Sequence, residues 1–479
     1  MNRVIIDGRQ TFFIPKWVFY RIVNGYTYIK NCKNYKDILL MEMETSIWGN
    51  IVKGLCFSEC LNDLERRFRQ VPCNVLSGDL DRFISQLILD KMICLNPSSI
   101  HSRLSESDHE TQTVDRPLNI SPIPNDDELL LYSDEETIIS DNGKYWLRNA
   151  LLELTYDCTL QCKHCYAISN DSFDDRKELT TSDWIDVLNQ LYLMNVQNLT
   201  FTGGDVFLRE DFWRLYDYAI EKKFVVTIFT NGQLLTESEI VHLAQTYPES
   251  IQLTLFSSNP EIHDSITNVR GSFFKTLSTI NRLKAKGITC VIKSQITSLN
   301  QDSLEGLLDL CRDLNVNPQI SYSVLPKWNS KLSSTDYNIY NEELLRSLLA
   351  QDEDYFYKGD NKYPEGNKEL NSEDGLCGAG INSLTIGPMG EYKACISIDK
   401  EIGKYPEPIS MIWDNNPFLK KLRSLRLKDL AECCSCKYIS YCNHCIGDSW
   451  IEHHDLVHKV FRNCQIAKIE FELSQRQYH

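Results

Sequence analysis

Three cysteines close together on one short segment constrain this chain more than any other feature. Cys158, Cys162 and Cys165 follow an apolar run at 151–154 that predicts a buried strand. Three thiolates on one loop can hold three irons of a cubic 4Fe-4S cluster, because such clusters take soft sulfur ligands. The fourth iron would be open to chelate the amino and carboxylate groups of S-adenosylmethionine. The alternative is a zinc site, for which His164 is the nearest fourth ligand.

The size, charge and cysteine content of the chain narrow its class. Its 479 residues are enough for two or three domains, and its formal net charge of -16 argues against a surface for nucleic acid or an anionic membrane. No stretch is long and apolar enough to cross a bilayer, and the first residues lack the layout of a signal peptide. We therefore expect a cytoplasmic protein, in which eighteen cysteines predict metal clusters rather than disulfides.

Composition and periodicity divide the chain into five segments. Each has its own pattern of apolar, polar or cysteine residues. The segments are an N-terminal domain at 1–96, a polar linker at 97–128, a segment of alternating strands and helices at 129–345, a polar connector at 346–373 and a cysteine-rich domain at 374–479.

The first segment predicts a small domain of strands and helices. A hairpin turn is expected at Asp7-Gly8, because this dipeptide suits a tight primed turn. Three helices follow: one begins near Glu44, one is capped by Ser58, and the third has apolar residues on one face at helical spacing over 80–88. A short strand at 92–95 ends the domain.

The third segment predicts parallel strands joined by helices. Short apolar runs alternate with helical periods, and this alternation favours parallel pairing with helical crossovers. The expected strands are 151–154, 199–202, 224–229, 251–256, 289–293 and 319–322.

The cysteine loop CTLQCKHCY, at 158–166, resembles that of the radical SAM superfamily, as does the order of the motifs that follow. The resemblance implies an α/β fold in which a partial (β/α)6 barrel is open on one side. It places His164 beside the adenine of S-adenosylmethionine. It also implies that the turn Thr202-Gly203-Gly204-Asp205 binds the amino group of the methionine moiety, although the family usually has Glu where this chain has Asp205.

The same resemblance implies further cofactor contacts at the ends of later strands. Asn231 belongs to a Thr-Asn-Gly turn that the family has after its third strand, and Thr254 lies where a serine often contacts the ribose or carboxylate. The family's Arg-Gly pair is Thr267-Asn268 here. The carboxylate-binding cation would therefore be Arg270 or Lys293.

Seven further cysteines in the last segment resemble the SPASM domain, which holds auxiliary 4Fe-4S clusters. The resemblance assigns four of them to a distal cluster and three to a nearer one, which would give three clusters in all. The distal set is Cys433, Cys436, Cys442 and Cys464, and the nearer set is Cys377, Cys395 and Cys445.

Two details of this segment indicate a narrower group. The short spacing between Cys442 and Cys445, together with Cys377-Gly-Ala-Gly, resembles the subtilosin-type sactisynthases. The nearer set lacks a fourth cysteine, so one iron could bind a substrate thiolate. A zinc ribbon formed by Cys433, Cys436, Cys442 and Cys445 is the alternative, but it leaves Cys377, Cys395 and Cys464 unexplained.

The first domain resembles a winged helix of the kind that recognises leader peptides in maturases of ribosomally made peptides. There, a leader peptide would add as an extra strand to a sheet edge. A DNA-binding winged helix and a purely structural domain are the alternatives.

Together these resemblances imply an S-adenosylmethionine-dependent maturase that forms thioether links in a precursor peptide. The expected partners are that precursor, bound through its leader, and an electron donor such as flavodoxin or ferredoxin. One alternative product is a carbon-carbon crosslink, and another is an epimerised residue, for which Cys290 or Cys311 would be the hydrogen donor. The alternative that is not an enzyme is a non-catalytic iron-sulfur sensor that binds DNA.

Overall fold

Contacts along the chain in this computed structural model separate it into two units, Met1–Leu130 and Leu131–His479. The structure describes most of each unit. The described residues are 6, 9–23, 26–32, 36–96, 130–133, 137–140, 145–166, 177–325, 334–358, 375–430, 432–442 and 444–476. The predicted turn at Asp7-Gly8 and the predicted linker at 97–128 lie outside them.

The first unit combines antiparallel strands with three helices. Its strands are β1 (Phe12–Phe13), β2 (Val18–Val23), β3 (Tyr26–Asn31), β4 (Lys36–Leu40) and β5 (Cys94–Leu95). Its helices are α1 (Glu42–Val52), α2 (Phe57–Arg67) and α3 (Cys73–Leu89). Strands β2, β3 and β4 form one sheet with β3 in the centre, and β1 pairs with β5.

The three helices of the first unit lie where the sequence predicts them, with one difference in capping. Helix α2 is capped by Cys56, so the prediction that Ser58 is the cap is wrong. The Glu59 carboxylate accepts a hydrogen bond from the Cys56 backbone nitrogen at 2.8 Å, which starts the helix two residues earlier. Leu80 and Ile84 of α3 are fully buried with Trp48, as the helical spacing predicts.

The second unit is built on a nine-stranded sheet. The strands described in this unit number eleven, of which the last nine form the large sheet. They are β6 (Leu130–Ser133), β7 (Thr137–Ser140), β8 (Asn149–Thr155), β9 (Asn198–Gly203), β10 (Val225–Thr230), β11 (Ser250–Thr254), β12 (Cys290–Gln295), β13 (Asn317–Ser321), β14 (Ser383–Ile386), β15 (Glu391–Lys393) and β16 (Glu401–Lys404). The order in the large sheet is β13-β12-β11-β10-β9-β8-β14-β15-β16, and β6 pairs only with β7 among the described strands.

Helices connect these strands. They are α4 (Thr181–Leu193), α5 (Phe212–Glu221), α6 (Glu237–Thr246), α7 (Pro260–Thr267), α8 (Ser272–Ala285), α9 (Leu304–Asp313), α10 (Glu342–Lys358), α11 (Ile409–Asn415), α12 (Pro417–Ser424), α13 (Ile446–His453) and α14 (Phe461–Arg476). Helix α10 extends into the segment for which the sequence predicts a polar connector.

Strands β8 to β13 pair in parallel and in chain order, as the alternation of strands and helices predicts. One face of each strand packs on the helices in a single core, in which Trp184, Phe201, Ile228 and Ile292 are fully buried. The carboxyl ends of all six strands therefore lie on one edge of the sheet, where parallel α/β proteins place their ligands. No helix in the described part of the chain has both the length and the apolar character needed to span a membrane.

The cysteine-rich segment contributes strands to the same sheet. This pairing was not predicted from the sequence. Strand β14 pairs in parallel with β8, so that Thr385 lies beside Leu151. Strand β15 pairs antiparallel with β14, and Thr385 also lies beside Lys393. The strand that leads to Cys395 is therefore two strands away from the strand that leads to Cys158.

Candidate functional site

The loop with the three cysteines follows β8 and lies against the end of α7. The backbone nitrogens of Gln161 and Lys163 donate to the carbonyls of Thr267 and Ile266, each at 3.0 Å. The Cys165 nitrogen donates to the Cys162 carbonyl at 3.1 Å. Backbone hydrogen bonds thus fix the course of the loop between its cysteines.

The sulfur of Cys158 is an acceptor for two N–H groups. The Leu160 backbone nitrogen and the Asn231 Nδ2 each lie 3.4 Å from it, and the Asn231 amide also donates to Thr159 Oγ1 at 3.0 Å. Donors of this kind stabilise a sulfur that bears negative charge, as cluster ligands do. Asn231 therefore joins the end of β10 to the cysteine loop.

Burial sets the electrostatics of the three thiols. It raises the pKa of Cys158 to about 11 and raises that of Cys162 further, and the neighbouring cysteines add to both shifts. A bound cation reverses this preference, because it favours the thiolate. Three half-buried, mutually interacting sulfurs with N–H donors to one of them suit a cluster that takes soft ligands.

Two glycines at the end of β9 permit the close approach of this strand to the cysteine loop. Gly203 has a φ of 133°, which favours glycine. A Cβ on Gly203 would overlap the Thr155 carbonyl, and one on Gly204 would overlap the Asp157 carbonyl. The Gly204 nitrogen donates to the Thr155 carbonyl at 2.7 Å, so the turn and the start of the loop are bonded directly.

Asp205 is buried and bonded within the protein. Its Oδ2 accepts hydrogen bonds from Thr230 Oγ1 at 2.9 Å and from the Asn231 nitrogen at 3.2 Å, and its Oδ1 accepts one from the Phe207 nitrogen at 3.1 Å. Burial raises the pKa of this carboxyl to about 6 despite these donors. The side chain ties the turn after β9 to the end of β10, so contact with an amino group stays a prediction.

His164 belongs to the cysteine loop, and its ring packs in an aromatic cluster. Its ring is buried and meets the Phe256 ring edge to face, with centroids 4.7 Å apart. On the other side Phe256 stacks with His263, whose Nδ1 accepts a hydrogen bond from the Phe256 backbone nitrogen at 3.2 Å. Burial lowers the pKa of His263 to about 4.

The remaining predicted cofactor contacts divide between strands of the sheet and the surface. Thr202 is buried, and Thr254 and Lys293 lie side by side on neighbouring strands. The Lys293 ammonium lies 4.0 Å from the centre of the Phe229 ring, and burial lowers its pKa to about 8. Arg270 is exposed. Of the two candidate cations for a carboxylate, Lys293 is the one that lies on a strand of the sheet, beside Phe229.

A buried charged network beside the loop was not predicted from the sequence. Glu153 is fully buried and forms an ion pair with Lys393, at 3.3 Å between Nζ and Oε2. Tyr156 and Tyr166 donate to its two carboxylate oxygens at 3.1 and 3.0 Å. The sequence signal for this network is Glu153 itself, an acidic residue inside the apolar run at 151–154, because a buried carboxylate needs partners.

A second ion-paired group fixes the other side of the β8 end and was also missed. Arg209 donates to the Leu154 carbonyl at 3.0 Å and pairs with Glu178 at 3.2 Å and Asp211 at 2.9 Å. Glu178 in turn accepts hydrogen bonds from Thr155 Oγ1 at 2.8 Å and from the Tyr156 nitrogen at 3.2 Å. These bonds hold the first residues of the cysteine loop.

Cys395 interacts with Cys377 and with Cys445 in the cysteine-rich segment. Burial raises the pKa of Cys395, and the charge of Cys377 raises it further. Burial likewise raises the pKa of Cys445, and the charge of Cys395 contributes to the increase. Cys445 begins α13, and a Cβ on Gly447 would overlap the Ser397 side chain. Glycine at that position therefore lets α13 approach the segment of Cys395.

The other four cysteines form a separate group. Burial and the charges of Cys464, Cys433 and Cys436 raise the pKa of Cys442 to about 12. Cys464 lies on α14, whereas the others lie on the loop before α13. Cys442 therefore interacts with the other three cysteines of this set, and the assignment of ligands to two auxiliary clusters stays a prediction.

No disulfide joins any of the eighteen cysteines, all of which belong to the described residues. Among those residues no three His, Cys, Asp or Glu side chains are arranged to hold a single metal ion. A four-iron cluster does not require its cysteines to meet at a single metal ion, since each cysteine sulfur binds a different iron.

Comparison with known families identifies the central part of the chain. Residues 152–314 match the model of the radical SAM superfamily. This range begins within β8 and ends just after α9, so it includes the cysteine loop and the Gly-Gly turn. The chain contains a radical SAM domain.

Two curated relatives are named for the biosynthesis of a bacteriocin and for the maturation of mycofactocin. The chain is 26% identical over 309 residues to the antilisterial bacteriocin subtilosin biosynthesis protein AlbA of Bacillus subtilis, and the match covers 62% of this chain and 66% of AlbA. It is 28% identical over 305 residues to the mycofactocin maturase MftC of Mycolicibacterium smegmatis, covering 60% of this chain and 75% of MftC.

Solved structures extend the similarity beyond the radical SAM domain. SuiB of Streptococcus suis, solved with its precursor peptide SuiA, matches 95% of this chain and 100% of that chain with a TM-score of 0.61 at 17% identity. The structure of anSMEcpe with bound AdoMet matches 69% of this chain and 94% of that chain with a TM-score of 0.54. At these identities the matches show a shared fold.

We predict that Gly204→Ala disrupts the cysteine loop. The added methyl group overlaps the Asp157 carbonyl, so the turn and the loop have to separate. After anaerobic reconstitution the variant should lose about four irons per chain, the content of one cluster. Gly78→Ala is the control, because nothing lies within 4 Å of a Cβ there. Full iron in Gly204→Ala would contradict the prediction.

We predict that His263 makes the second unit less stable in mild acid. Its folded pKa of about 4 lies below its ordinary value of 6.5, so its stabilisation is complete above pH 6.5 and is lost as the pH falls towards 4. At pH 5 the loss is roughly 2 kcal/mol, at about 1.4 kcal/mol per pH unit.

The measurement is urea unfolding of wild type and His263→Asn at pH 7.5 and pH 5. Asn has an acceptor oxygen at the position of Nδ1, which receives the hydrogen bond from the Phe256 nitrogen, but it does not titrate, so the stability of the variant should fall less with acid. Asp205, whose raised pKa acts in the opposite direction, is present in both proteins and cancels. Equal losses in the two proteins would refute the assignment.

Proposed function

We propose that this radical SAM enzyme forms thioether links in a ribosomally made precursor peptide, from a cysteine sulfur to a carbon of another residue. The observation that carries the proposal concerns a second cysteine group, Cys377, Cys395 and Cys445. Cys395 follows β15, a strand of the same sheet as β8, which leads to the cysteine loop. The similarity to a subtilosin biosynthesis protein supports the same chemistry.

The reaction sets clear demands on the site. A thioether replaces one S–H and one C–H bond with one S–C bond, so the peptide loses two protons and two electrons. When bound, S-adenosylmethionine and the clusters supply the radical that takes one hydrogen atom and an acceptor for the second electron. An external donor such as flavodoxin or ferredoxin would supply the electron that starts each cycle.

The chain's own residues would bind and orient these groups. Cys158, Cys162 and Cys165 would hold the first cluster, while Asn231 donates to the Cys158 sulfur. The Lys293 ammonium suits a carboxylate. Because the nearer group has three cysteines rather than four, one iron there could take the thiolate of a substrate cysteine. The four other cysteines, including Cys464, would enclose a distal cluster.

The first unit has a suitable edge for a leader peptide. Strand β3 is in the centre of its sheet, so β2 and β4 are the edges at which a further strand could pair. The first residues of β4, Lys36 and Asp37, are exposed, whereas Val18 and Phe19 of β2 are buried. We therefore assign the leader to β4.

The geometry disfavours the epimerase alternative in its predicted form. Cys290 and Cys311 both belong to the apolar core between the sheet and the helices. Burial raises the pKa of each thiol to about 12. A hydrogen donor has to reach a substrate in the barrel interior, and these thiols lie on the opposite side of the sheet.

Iron analysis and the mass of a co-expressed precursor test the proposal together. Anaerobically reconstituted wild type should bind about twelve irons, and Cys158→Ala/Cys162→Ala/Cys165→Ala about eight. The precursor should be lighter by two hydrogen atoms per link, and its linked cysteines should resist alkylation. A carbon-carbon crosslink gives the same mass change but leaves the cysteines reactive.

Two variants separate the roles of the cysteine groups. Cys377→Ala/Cys395→Ala/Cys445→Ala should still release 5'-deoxyadenosine but make no link. Cys73→Ala is the matched control, because this exposed thiol lies outside all three groups and should leave iron and product unchanged. Wild type without iron would overturn the whole proposal, and links formed without the nearer cysteines would overturn their role.

Hydrogen exchange tests the leader site. A synthetic leader peptide should slow the exchange of backbone amides in β4 several-fold, because strand addition gives its edge new hydrogen-bond partners. Amides of β3, which is paired on both sides, should change little. A scrambled peptide of the same composition is the control. Protection at β2 but not at β4 would refute the assignment.

A further inference from the structure

The Glu153 network, made of Glu153, Tyr156, Tyr166 and Lys393, links parts of the second unit that are distant in sequence. Glu153 lies on β8 and Lys393 on β15, and their side chains are 0% and 5% exposed. Their charged atoms are 3.3 Å apart. Because isolated charges are costly to bury, each one depends on the other.

The carboxylate of Glu153 holds both ends of the cysteine loop. Tyr156, two residues before Cys158, donates to Oε2 at 3.1 Å. Tyr166, the residue after Cys165, donates to Oε1 at 3.0 Å. One side chain therefore closes the loop at its beginning and at its end.

The lysine extends the same network towards the second cysteine group. Lys393 is two residues before Cys395 in the sequence, and its ammonium also donates to the Tyr156 hydroxyl at 3.4 Å. Glu391 is a second carboxylate near the lysine, at 3.9 Å, but it also accepts a hydrogen bond from the Met389 nitrogen in its own turn. The contact that crosses from β15 to β8 is the one with Glu153.

We propose that Glu153 is a positioning residue that fixes the cysteine loop and the strand of Cys395 relative to each other. The inference rests on the proposed function, since it assumes that both cysteine groups hold clusters. A peptide cysteine held at one cluster and a hydrogen-accepting radical formed at the other have to meet at a fixed separation. The Glu153 network is a direct side-chain link between the two segments.

The test measures how each variant loads iron at each group separately. Glu153→Gln keeps the size of the side chain but removes its charge, and Tyr166→Phe and Lys393→Met each remove one contact. Each variant is made in two backgrounds, one lacking Cys377, Cys395 and Cys445 and the other lacking Cys158, Cys162 and Cys165. Iron per chain is read together with the electron paramagnetic resonance spectrum of the reduced protein, with and without S-adenosylmethionine.

We expect Glu153→Gln to lower iron at least twofold in both backgrounds. Tyr166→Phe should lower it only where the cysteine loop is intact, and Lys393→Met chiefly where the Cys395 group is intact. The spectral change caused by S-adenosylmethionine should be lost in Glu153→Gln. The control is Tyr216→Phe, which removes another buried hydroxyl, bonded to Thr246 at 2.8 Å on the outer helices.

The double variant Glu153→Gln/Lys393→Met distinguishes positioning from simple stabilisation. With neither charge buried, its melting temperature without iron should return towards that of wild type. Iron at the cysteine loop should stay low, because an amide has one acceptor oxygen and cannot accept hydrogen bonds from both tyrosines at the two positions of the carboxylate. Full recovery of iron together with stability would overturn the inference, as would normal loading of Glu153→Gln. If the parent backgrounds bind no iron, the proposed function fails first and this inference with it.

Discussion

The rest of the site depends on the direct contact between the turn after β9 and the start of the cysteine loop. At Gly203 and Gly204 the two backbones approach so closely that no side chain fits between them. Hydrogen bonds from Gly204 and Asp205 to the carbonyls of Thr155 and Asp157 then lock the two segments together. A loop that contains three cysteines thereby acquires a fixed position at the carboxyl edge of the sheet.

Other contacts propagate from this one along the edge of the sheet. Asp205 reaches the end of β10 through Thr230 and Asn231, and Asn231 returns to the sulfur of Cys158. The chain of bonds therefore passes from β9 to β10 and back to the loop after β8. Such a closed path explains why the polar residues at three successive strand ends act as one unit, since a shift in any of them changes the geometry at the sulfur.

The sequence predicts those parts of the structure that follow from local pattern. The six parallel strands follow from periodicity, and crossover helices bring their ends to one edge. The cysteine loop follows from its spacing, whereas the Gly-Gly and Asn231 motifs were indicated by the resemblance to a known family. Pairing between distant segments does not follow in this way. The partnership of β14 with β8 and that of Lys393 with Glu153 each join residues more than 200 positions apart, so no local spacing indicates either. The cap at Cys56 was missed for a smaller reason, because Glu59 can complete a capping box whose first residue is not a usual cap.

The buried cysteines explain why so many other groups hold the loop. Burial raises the pKa of Cys158 to about 11 and that of Cys445 to about 12, so at neutral pH these thiols are protonated until a metal is bound. Protonated thiols attract one another weakly, and the shape of the loop before metal binding has to come from other bonds. Backbone contacts with α7, the hydrogen bonds of Arg209 and Glu178, and the two tyrosines on Glu153 provide them. A buried ion pair is weak evidence for stability in general. Here it has a geometric role, because it fixes in one direction a carboxylate whose two oxygens close the loop.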